Sequence, residues 1–274
     1  MRNFIKAKLF SILWRLGRFL YKTGRKESLF NQLNNKEFWV IDAVIKTLTT
    51  KEKKILFDVG CFKGKWSLHA WEKLKQKKIN AKIFAFEPTS STYDFLKIKF
   101  KNYKNILLNK VALSNTSGVK DFFIFGKMTG INTLVSNKNT SVIKVNTLTL
   151  DEFVEKNNIK NILFVKSDAE GYDFSIIKGA TKSFNNKIID FWQFEYNHRW
   201  IDNRHYLKDV FIFFEGSNYK IGKICRSKLE IYSYWHMELE RFFEADFIII
   251  KNDLLKKIPH NKVIFNKYNV TENE

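Results

Sequence analysis

The sequence contains little cysteine, proline or glycine. Its two cysteines, Cys61 and Cys225, are too few for the disulfide framework of a small secreted domain, and neither lies in a CxxC pair or a Cys/His cluster with zinc-binding spacing. Two prolines among 274 residues exclude a proline-rich linker, and no internal repeat is present. This cysteine usage is typical of a reducing compartment, so we predict a cytoplasmic protein.

Long apolar runs are also missing. The first 30 residues contain no unbroken apolar segment followed by a small-residue cleavage site, so no secretory signal peptide is predicted. Lysine and arginine interrupt the same segment too often for it to span a bilayer.

The N-terminal segment nevertheless has a helical pattern, with apolar residues at helical spacing and basic residues in much of the remainder. A basic amphipathic helix of this kind either lies on the inner, anionic surface of a membrane or packs against protein, and both alternatives remain open. Residues 1–22 are the candidate for peripheral membrane contact. The apolar positions are Ile5, Leu9, Ile12, Leu13, Leu16, Phe19 and Leu20, and the basic positions are Arg2, Lys6, Lys8, Arg15, Arg18, Lys22 and Arg25.

Acidic residues are outnumbered. The 28 Asp and Glu residues stand against 48 Lys and Arg, which gives a formal net charge of +20. This charge suits a partner that carries phosphates or an anionic membrane. However, basic residues recur in nearly every segment, and Lys, Asn, Ile and Phe are all abundant, which is the composition of a protein from an AT-rich genome. The charge by itself therefore does not establish a nucleic-acid partner.

The sequence does contain ample material for a core, since 45% of its residues are hydrophobic and 16% are aromatic. Its length suits one α/β domain with appendages. We predict an N-terminal helical extension over residues 1–50, one main domain over residues 51–256 and a polar C-terminal tail over residues 257–274.

From Lys54 onward, short apolar runs alternate with helical patterns, which indicates βαβ units and a parallel sheet. The last two strands lack a long helix between them, so we expect the sheet to end in an antiparallel pair. The predicted strands are 55–59, 82–86, 106–111, 162–167, 188–195, 219–224 and 242–250, with extra strands at 119–125 and 142–148. The predicted helices are 66–77, 91–101, 149–157, 174–184 and 207–215.

Two of the 11 glycines, Gly60 and Gly64, follow the strand that ends at Asp58. In an open α/β sheet, ligands bind beyond the carboxyl ends of the strands, where a glycine lets the backbone approach a ligand closely. The spacing G-x-x-x-G is not the dinucleotide fingerprint, and Trp66 stands where a phosphate-binding loop needs Ser or Thr. An ordinary tight turn remains the alternative explanation.

Acids follow two further strands. Glu87 ends the second strand, where a carboxylate can accept hydrogen bonds from both ribose hydroxyls of a nucleotide, although an exposed acid before Pro88 is the simpler alternative. Asp168 and Glu170 follow the fourth strand, where they either face the cleft as acid–base groups or cap the helix that begins near Asp173.

The ordered segments DVGCFKGKWS, FEPTSSTYDFL, VALSNTSG, VNTLTLDEFV, FVKSDAEGYDFSIIKGA and FEYN resemble the FkbM family of S-adenosylmethionine-dependent methyltransferases over about residues 55–196. The resemblance implies a Rossmann-like, seven-stranded, mostly parallel sheet with helices on both faces, the class I methyltransferase fold. It also implies S-adenosyl-L-methionine as cofactor and O-methylation of sugars or other polyhydroxylated metabolites, so that the partner is a small-molecule or glycan acceptor.

The resemblance further implies roles for individual residues. The methionine part of the cofactor is expected at the glycine turn, the ribose at Glu87 and the adenine near residues 109–112, while Asp168 and Glu170 face the reaction centre. This sequence departs from the family pattern at Cys61 and Phe62, where the family usually has a small residue and then Asn or His. The predicted cofactor residues are Asp58, Gly60, Cys61, Gly64, Glu87, Asn109, Val111, Ala112 and Asp168, and the predicted catalytic residues are Asp168 and Glu170.

Several alternatives stay open for the chemistry. Glu195 could join Asp168 in binding a divalent cation, but two carboxylates are too few to predict a metal site. An RNA methyltransferase is favoured by the charge and disfavoured by the absence of an N/D-P-P-Y/F segment, and a non-catalytic basic module is the other rival. The reserve proton acceptors are His198, His205 and His236, and an aromatic stretch of Tyr232, Tyr234, Trp235 and His236 either stacks on a sugar or packs under a loop.

Overall fold

The computed structural model of the chain describes residues 2–24, 36–49, 52–126, 128–136, 140–225, 227–242 and 244–274. Arg25 and the predicted boundary between residues 50 and 51 lie outside the described residues. The α-helices are α1 (Arg2–Gly24), α2 (Lys36–Thr47), α3 (Lys65–Gln76), α4 (Ser90–Lys99), α5 (Leu150–Lys156), α6 (Asp173–Lys178), α7 (Thr181–Asn185) and α8 (Leu207–Phe213).

The strands form a large sheet and a small one. In the large sheet the order is β13-β12-β10-β9-β11-β8-β7-β1-β2-β3, and in the small sheet it is β4-β6-β5. The strands are β1 (Lys54–Val59), β2 (Ala81–Phe86), β3 (Ile106–Asn109), β4 (Ala112–Leu113), β5 (Gly118–Ile124), β6 (Ser141–Leu148), β7 (Ile162–Ser167), β8 (Ile189–Tyr196), β9 (Tyr219–Ile224), β10 (Leu229–Tyr232), β11 (Ala245–Lys251), β12 (His260–Phe265) and β13 (Thr271–Asn273).

The seven strands predicted for the main sheet lie side by side as β3-β2-β1-β7-β8-β11-β9. Five of them, from β3 to β8, are parallel. The last two predicted strands, β9 and β11, pair antiparallel as expected, and β11 is also antiparallel to β8. The strand count of seven is wrong, because β10, β12 and β13 extend the sheet to ten strands.

The added strands come from segments that sequence patterns describe poorly. The predicted polar tail forms β12, which pairs with β10, and β13, which pairs with β12. Strands at or next to the edge of a sheet can remain largely polar because they bury little of their surface: Val263 is the buried residue of β12, and β13 at the edge has none. Hydrophobic periodicity alone therefore does not reveal such a strand.

Helices cover both faces of the sheet. On one face α2, α3 and α4 pack through residues such as Ile41, Trp66 and Leu96. On the other face α5 to α8 pack, and the Phe153 ring lies 5.0–5.5 Å from three phenylalanine rings of β1 and β2. The helix α2, which falls within the predicted N-terminal extension, thus contributes to the main core. These layers confirm an α/β fold with helices on both faces of a mostly parallel central sheet.

The chain reverses its direction across the sheet next to β1. Strands β2 and β3 extend from one side of β1, and β7 and β8 extend from the other. The crevice at such a point, outside the carboxyl ends of the strands, is where open α/β sheets bind ligands. Gly60 follows β1 there, and Asp168 follows β7.

Candidate active site

A cleft of about 590 Å³, partly open to solvent, lies at the carboxyl ends of β1, β2 and β7. Apolar side chains from the small sheet, including Phe122 and Leu113, form one of its walls. The structure brings some predicted cofactor residues to the cleft and leaves others away from it. Gly60, Glu87, Val111, Ala112 and Asp168 are on the wall, whereas Asp58, Cys61, Gly64 and Asn109 are not.

Gly60 forms the turn where β1 reaches the cleft. Its φ is +74°, and a Cβ atom at this position would lie 2.1 Å from the carbonyl oxygen of Asp168. The backbone after β1 can therefore approach the backbone after β7 only because residue 60 has no side chain. This approach brings Asp168 to the wall of the cleft beside the glycine turn.

Asp58 is directed away from the cleft. Side chains alternate along a strand, so Asp58 faces the same side of β1 as Leu56, toward α3. Its Oδ2 accepts hydrogen bonds from the backbone N–H of Ser67, at 3.1 Å, and from the Ser67 hydroxyl, at 2.6 Å. The buried carboxylate thus holds the first turn of α3 in place behind the glycine turn.

Three further predicted residues have packing roles. Gly64 precedes α3 with φ +67° and lies against the Phe100 ring. The Asn109 side chain donates to the backbone oxygens of Ala85 and Leu107 at 3.3 and 2.9 Å, which ties β3 to β2. Cys61 is buried, and burial raises the pKa of its thiol well above the usual value. None of the three lines the cleft.

Glu87 follows β2, which lies on the other side of β1 from β7 and the acids that follow it. Its Oε1 accepts hydrogen bonds from the backbone N–H of Thr89, at 2.9 Å, and from the Thr89 hydroxyl, at 2.6 Å. Both bonds end on Oε1, so neither uses Oε2. Burial raises the pKa of the Glu87 carboxyl, while the two Thr89 bonds oppose that rise by favouring the carboxylate.

The cleft is partly covered by residues 128–136, which we call the cover segment. Thr129, Gly130 and Asn132 line the cleft from it. The Thr133 hydroxyl lies 2.9 Å from the Ala169 carbonyl oxygen, to which it donates a hydrogen bond. Sequence patterns did not single out this segment; the one available signal was the pair Gly126 and Gly130 in a chain so poor in glycine.

Three carboxylates meet beside the cleft: Asp168 is on its wall, whereas the predicted catalytic Glu170 and the nearby Glu195 are not. Asp168, Glu170 and Glu195 each offer an oxygen atom within 4.8 Å of the other two. Each also has one partner: Lys166 Nζ lies 3.1 Å from Asp168 Oδ2, Arg199 Nη1 lies 3.0 Å from Glu170 Oε2, and Asn197 Nδ2 lies 2.7 Å from Glu195 Oε2. Carboxylates at this spacing can share protons or hold a divalent cation.

Crowding and burial shift the pKa values in this cluster. The pKa of Glu170 rises to about 7, chiefly because burial disfavours the charged form and then because the Asp168 charge lies nearby, while Arg199 opposes the rise. The pKa of Glu195 also rises well above its usual value through burial and through the Asp168 and Glu170 charges. At neutral pH, Glu170 can therefore both take up and release a proton.

Neither Asp168 nor Glu170 caps the following helix. The helix α6 has no side-chain hydrogen bond at its N-cap, Tyr172. Instead Asp173, within the first turn, accepts a hydrogen bond from the Ala169 N–H at 3.2 Å. The capping alternative is thus wrong for both acids. Glu170 itself has φ +52°, a left-handed conformation in the turn that presents its carboxylate beside Asp168.

The buried Asp173 should make stability depend on pH. Burial, followed by the Asp168 charge, raises the pKa of Asp173 to about 7, whereas an unfolded Asp titrates near pH ~3.9. Between these values the folded chain holds a proton that the unfolded chain has released, so this contribution to stability is present at low pH and is lost as the pH rises toward 7.

Urea denaturation from about pH 5 to pH 8 checks this expectation, because Asp173→Asn should weaken the pH dependence of the unfolding free energy. Asp202→Asn, at an exposed turn, serves as the control and should leave the dependence unchanged. Equal slopes for wild type and Asp173→Asn would contradict the assignment.

The candidate histidines and aromatic residues lie off the cleft wall. The His205 ring lies 3.2 Å from Lys178 Nζ, and burial and the Lys178 charge lower its pKa. His236 accepts a hydrogen bond from the Glu238 N–H and stacks on Phe265 at 4.2 Å. Tyr232 also stacks on Phe265, so much of the aromatic stretch is used in packing around β12.

Comparisons with known proteins identify the family of the chain. The model of the methyltransferase FkbM domain matches residues 58–221, which is more than half of the chain. A search of curated proteins gives no match. Among solved structures, the methyltransferase FkbM from Methylobacillus flagellatus KT aligns with a TM-score of 0.47 and 13% identity over 78% of this chain. The chain spans about half of that protein, with 50% of its length covered.

Two further solved structures align at similar levels. TrmK from M. capricolum, in complex with S-adenosyl-homocysteine, has a TM-score of 0.41 and 12% identity, covering 78% of this chain and 68% of that one. An rRNA methylase from Streptococcus thermophilus has a TM-score of 0.44 and 10% identity, covering 80% of this chain and 98% of that one. By its domain match, which begins at Asp58 and includes Glu87 and the Asp168–Glu170 turn, the chain belongs to the FkbM family of methyltransferases.

Proposed function

We propose that the chain is an S-adenosylmethionine-dependent O-methyltransferase that acts on a hydroxyl of a sugar, a polysaccharide or another small polyhydroxylated metabolite. The observation that carries the proposal is the cleft whose wall holds both Glu87 and Asp168, with Glu170 and Glu195 clustered beside Asp168. Family membership supplies the reaction class, and the carboxylates supply acceptors for hydroxyl protons.

The wall of the cleft fits this cofactor. Glu87 offers carboxylate oxygens to the two ribose hydroxyls, and Val111 and Leu113 give an apolar surface for the adenine ring. Asp58 supports the site indirectly, by holding the first turn of α3 through Ser67. When bound, the cofactor supplies a methyl group that is already activated by a sulfonium.

The acid cluster is proposed to bind and deprotonate the acceptor. The Glu170 carboxylate would take the proton of the acceptor hydroxyl, for which its pKa of about 7 is well matched, while the bound cofactor would supply the methyl group and leave as the thioether. Arg199 holds Glu170 in position through Oε2, and Lys166 does the same for Asp168. The cover segment excludes water from the reacting atoms.

The hydrogen-bonding groups of the acid cluster favour a polyhydroxylated acceptor, because carboxylate oxygens accept hydrogen bonds from sugar hydroxyls. Lys166 and Arg199 pair with two of the three acids, so the cluster carries both signs of charge, and the argument rests on hydroxyl recognition.

RNA remains a second candidate acceptor because the net charge is +20. The dependence of RNA affinity on salt concentration distinguishes the candidates, since a phosphate-reading surface gives a steep loss of affinity as salt rises. A flat dependence favours the hydroxylated metabolite, and a steep one favours RNA.

The cofactor assignment is tested by calorimetry with S-adenosylmethionine. In a Glu87→Gln variant, the amide keeps one oxygen for Thr89 but presents NH₂ where a ribose hydroxyl needs an acceptor. We expect an affinity about 10- to 100-fold lower, since hydrogen bonds to a charged group contribute about 1.5–3 kcal/mol. Glu72→Gln, on the exposed side of α3, is the matched control and should bind like wild type.

The result could contradict the proposal in two ways. Equal affinity for S-adenosylmethionine in Glu87→Gln and wild type would contradict the assignment of Glu87 to the ribose hydroxyls. Thermal unfolding will show whether the wild-type chain is folded. If it is folded and yet binds no S-adenosylmethionine, the cofactor assignment is wrong and the non-catalytic alternative is favoured.

A further inference from the structure

The helix α1 presents a continuous apolar face to solvent. At 100° per residue, six apolar side chains fall within an arc of roughly 120° on one side of the helix. All six are about half exposed or more, from 48% for Phe19 to 62% for Ile12. By contrast, the apolar residues of α2, such as Val40, Ile41 and Val44, are fully buried in the core. The apolar face of α1 consists of Leu9, Ile12, Leu13, Leu16, Phe19 and Leu20.

The helix contacts the rest of the protein from a different side. Near its C-terminal end, the Tyr21 hydroxyl donates to Glu238 Oε2 at 3.2 Å, and the Arg241 guanidinium lies 5.1 Å from the centre of the Tyr21 ring. Tyr21 points roughly 140° away from the centre of the apolar face. The contact with the folded domain therefore anchors the helix and leaves the apolar face directed outward.

The charge of α1 indicates what covers this face. The helix carries six basic residues and no acidic residue. The exposed Lys8 and Arg15 lie beside one edge of the apolar face, and the exposed Lys6 lies beside the other edge. A second copy of the chain would bring two such basic helices together, which like charges oppose. Nucleic acid would satisfy the charges but would leave the apolar side chains in water. An anionic lipid surface satisfies both, because acyl chains take the apolar face and headgroups take the basic residues at its edges.

We propose that α1 is a docking surface for an anionic lipid bilayer, on which it lies parallel to the membrane plane. Among the described residues no helix has the length and apolar character to cross a bilayer, so the attachment is peripheral. The basic side chains beside the apolar face reach the headgroups while the apolar side chains enter the boundary of the acyl region.

The docked helix lies near the active-site end of the sheet. It touches Glu238 and Arg241, and the neighbouring Glu240 accepts a hydrogen bond from the Tyr196 hydroxyl at 2.6 Å. Tyr196 is the last residue of β8 and follows Glu195 of the acid cluster. Docking would thus hold the acid cluster close to the bilayer.

Sedimentation with vesicles tests the proposal on the full chain. Wild type should sediment with vesicles that contain phosphatidylglycerol and remain in solution with vesicles of phosphatidylcholine alone. The double substitution Leu13→Asp and Leu16→Asp should abolish sedimentation. The pair Lys8→Glu and Arg15→Glu should weaken it about tenfold or more, since each basic residue near an anionic surface adds several-fold in affinity.

Matched controls test whether vesicle binding depends on the apolar face of α1 or on any exposed apolar residue. Ile98→Asp with Ile212→Asp changes two exposed apolar residues on α4 and α8 and should leave sedimentation unchanged. All variants should keep the wild-type thermal unfolding temperature and the wild-type affinity for S-adenosylmethionine, because α1 lies outside the core and the cleft.

Three outcomes would overturn the proposal. The first is equal binding to neutral and anionic vesicles. The second is an absence of vesicle binding in a chain whose dimer dissociates on Leu13→Asp with Leu16→Asp, which would assign the face to a second copy. The third is an absence of vesicle binding together with RNA binding that Lys8→Glu with Arg15→Glu removes.

Discussion

Replacing Glu170 with glutamine is expected to slow methyl transfer about 100- to 10,000-fold, which is the usual contribution of a general base. Glutamine has the same size and keeps an oxygen for Arg199, so the cleft should retain its shape and its affinity for the cofactor. What the variant lacks is a carboxylate that can take the acceptor proton. Turnover can be measured with a cell extract as the source of acceptor and S-adenosylmethionine that carries an isotopic label in its methyl group.

The pH profile gives a second readout of the same substitution. Because the pKa of Glu170 is raised to about 7, the fraction of ionised base grows as the pH rises through neutrality. The wild-type rate should therefore increase with pH up to about 7 and then level off. In Glu170→Gln this increase of the rate with pH should be absent. Glu155→Gln, on the exposed side of α5, should retain both the rate and the profile. Full activity with an unchanged pH profile in Glu170→Gln would show that another group accepts the proton.

A Gly60→Ala substitution is expected to lower the free energy of unfolding on the order of 3 kcal/mol, which is a large effect for one methyl group. Two causes combine. An alanine at φ +74° adopts a left-handed conformation that L-residues disfavour, and its Cβ would meet the Asp168 carbonyl oxygen at 2.1 Å. Relief of this overlap moves the turn after β1 away from the turn after β7, so cofactor affinity should fall as well.

Gly216 offers a control for the backbone conformation alone. It has φ +69°, close to that of Gly60, and a Cβ at this position would meet no atom within 4 Å. Gly216→Ala should therefore cost only the conformational part, about 1–2 kcal/mol, and leave cofactor affinity unchanged. Chemical denaturation of both variants measures the difference. Equal losses would show that the close approach of the two turns does not matter for stability.

The positions of the predicted acids show what a local sequence pattern can predict about the site and what it cannot. The patterns at residues 55–59 and 82–86 identified β1 and β2 to within one residue, because a buried parallel strand is a short apolar run that ends in a turn. They also predicted that acids at strand ends would face one crevice. This holds for Glu87 and Asp168 but not for Asp58, which lies on the α3 side of β1, where Ser67 is its partner.

Other features depend on contacts between distant parts of the chain. Glu195 joins the acid cluster because β8 pairs in parallel with β7, which brings the end of one strand beside the end of the other. The cover segment reaches the cleft through the Thr133 contact with Ala169, across 36 positions of sequence. The edge strand β13 has no apolar pattern of its own and is defined by its pairing with β12.

The sequence by itself determined the α/β class, the central strands, the glycine turn and the family, because hydrophobic period, turn residues and motif order are properties of neighbouring residues. It also marked α1 as basic and amphipathic. Only the tertiary structure decided that the apolar face of α1 remains uncovered, that Asp58 supports a helix, and that burial and the Asp168 charge raise the pKa values of Glu170 and Glu195. Burial and charge coupling arise from which segments pack together, and that choice is made by the whole fold.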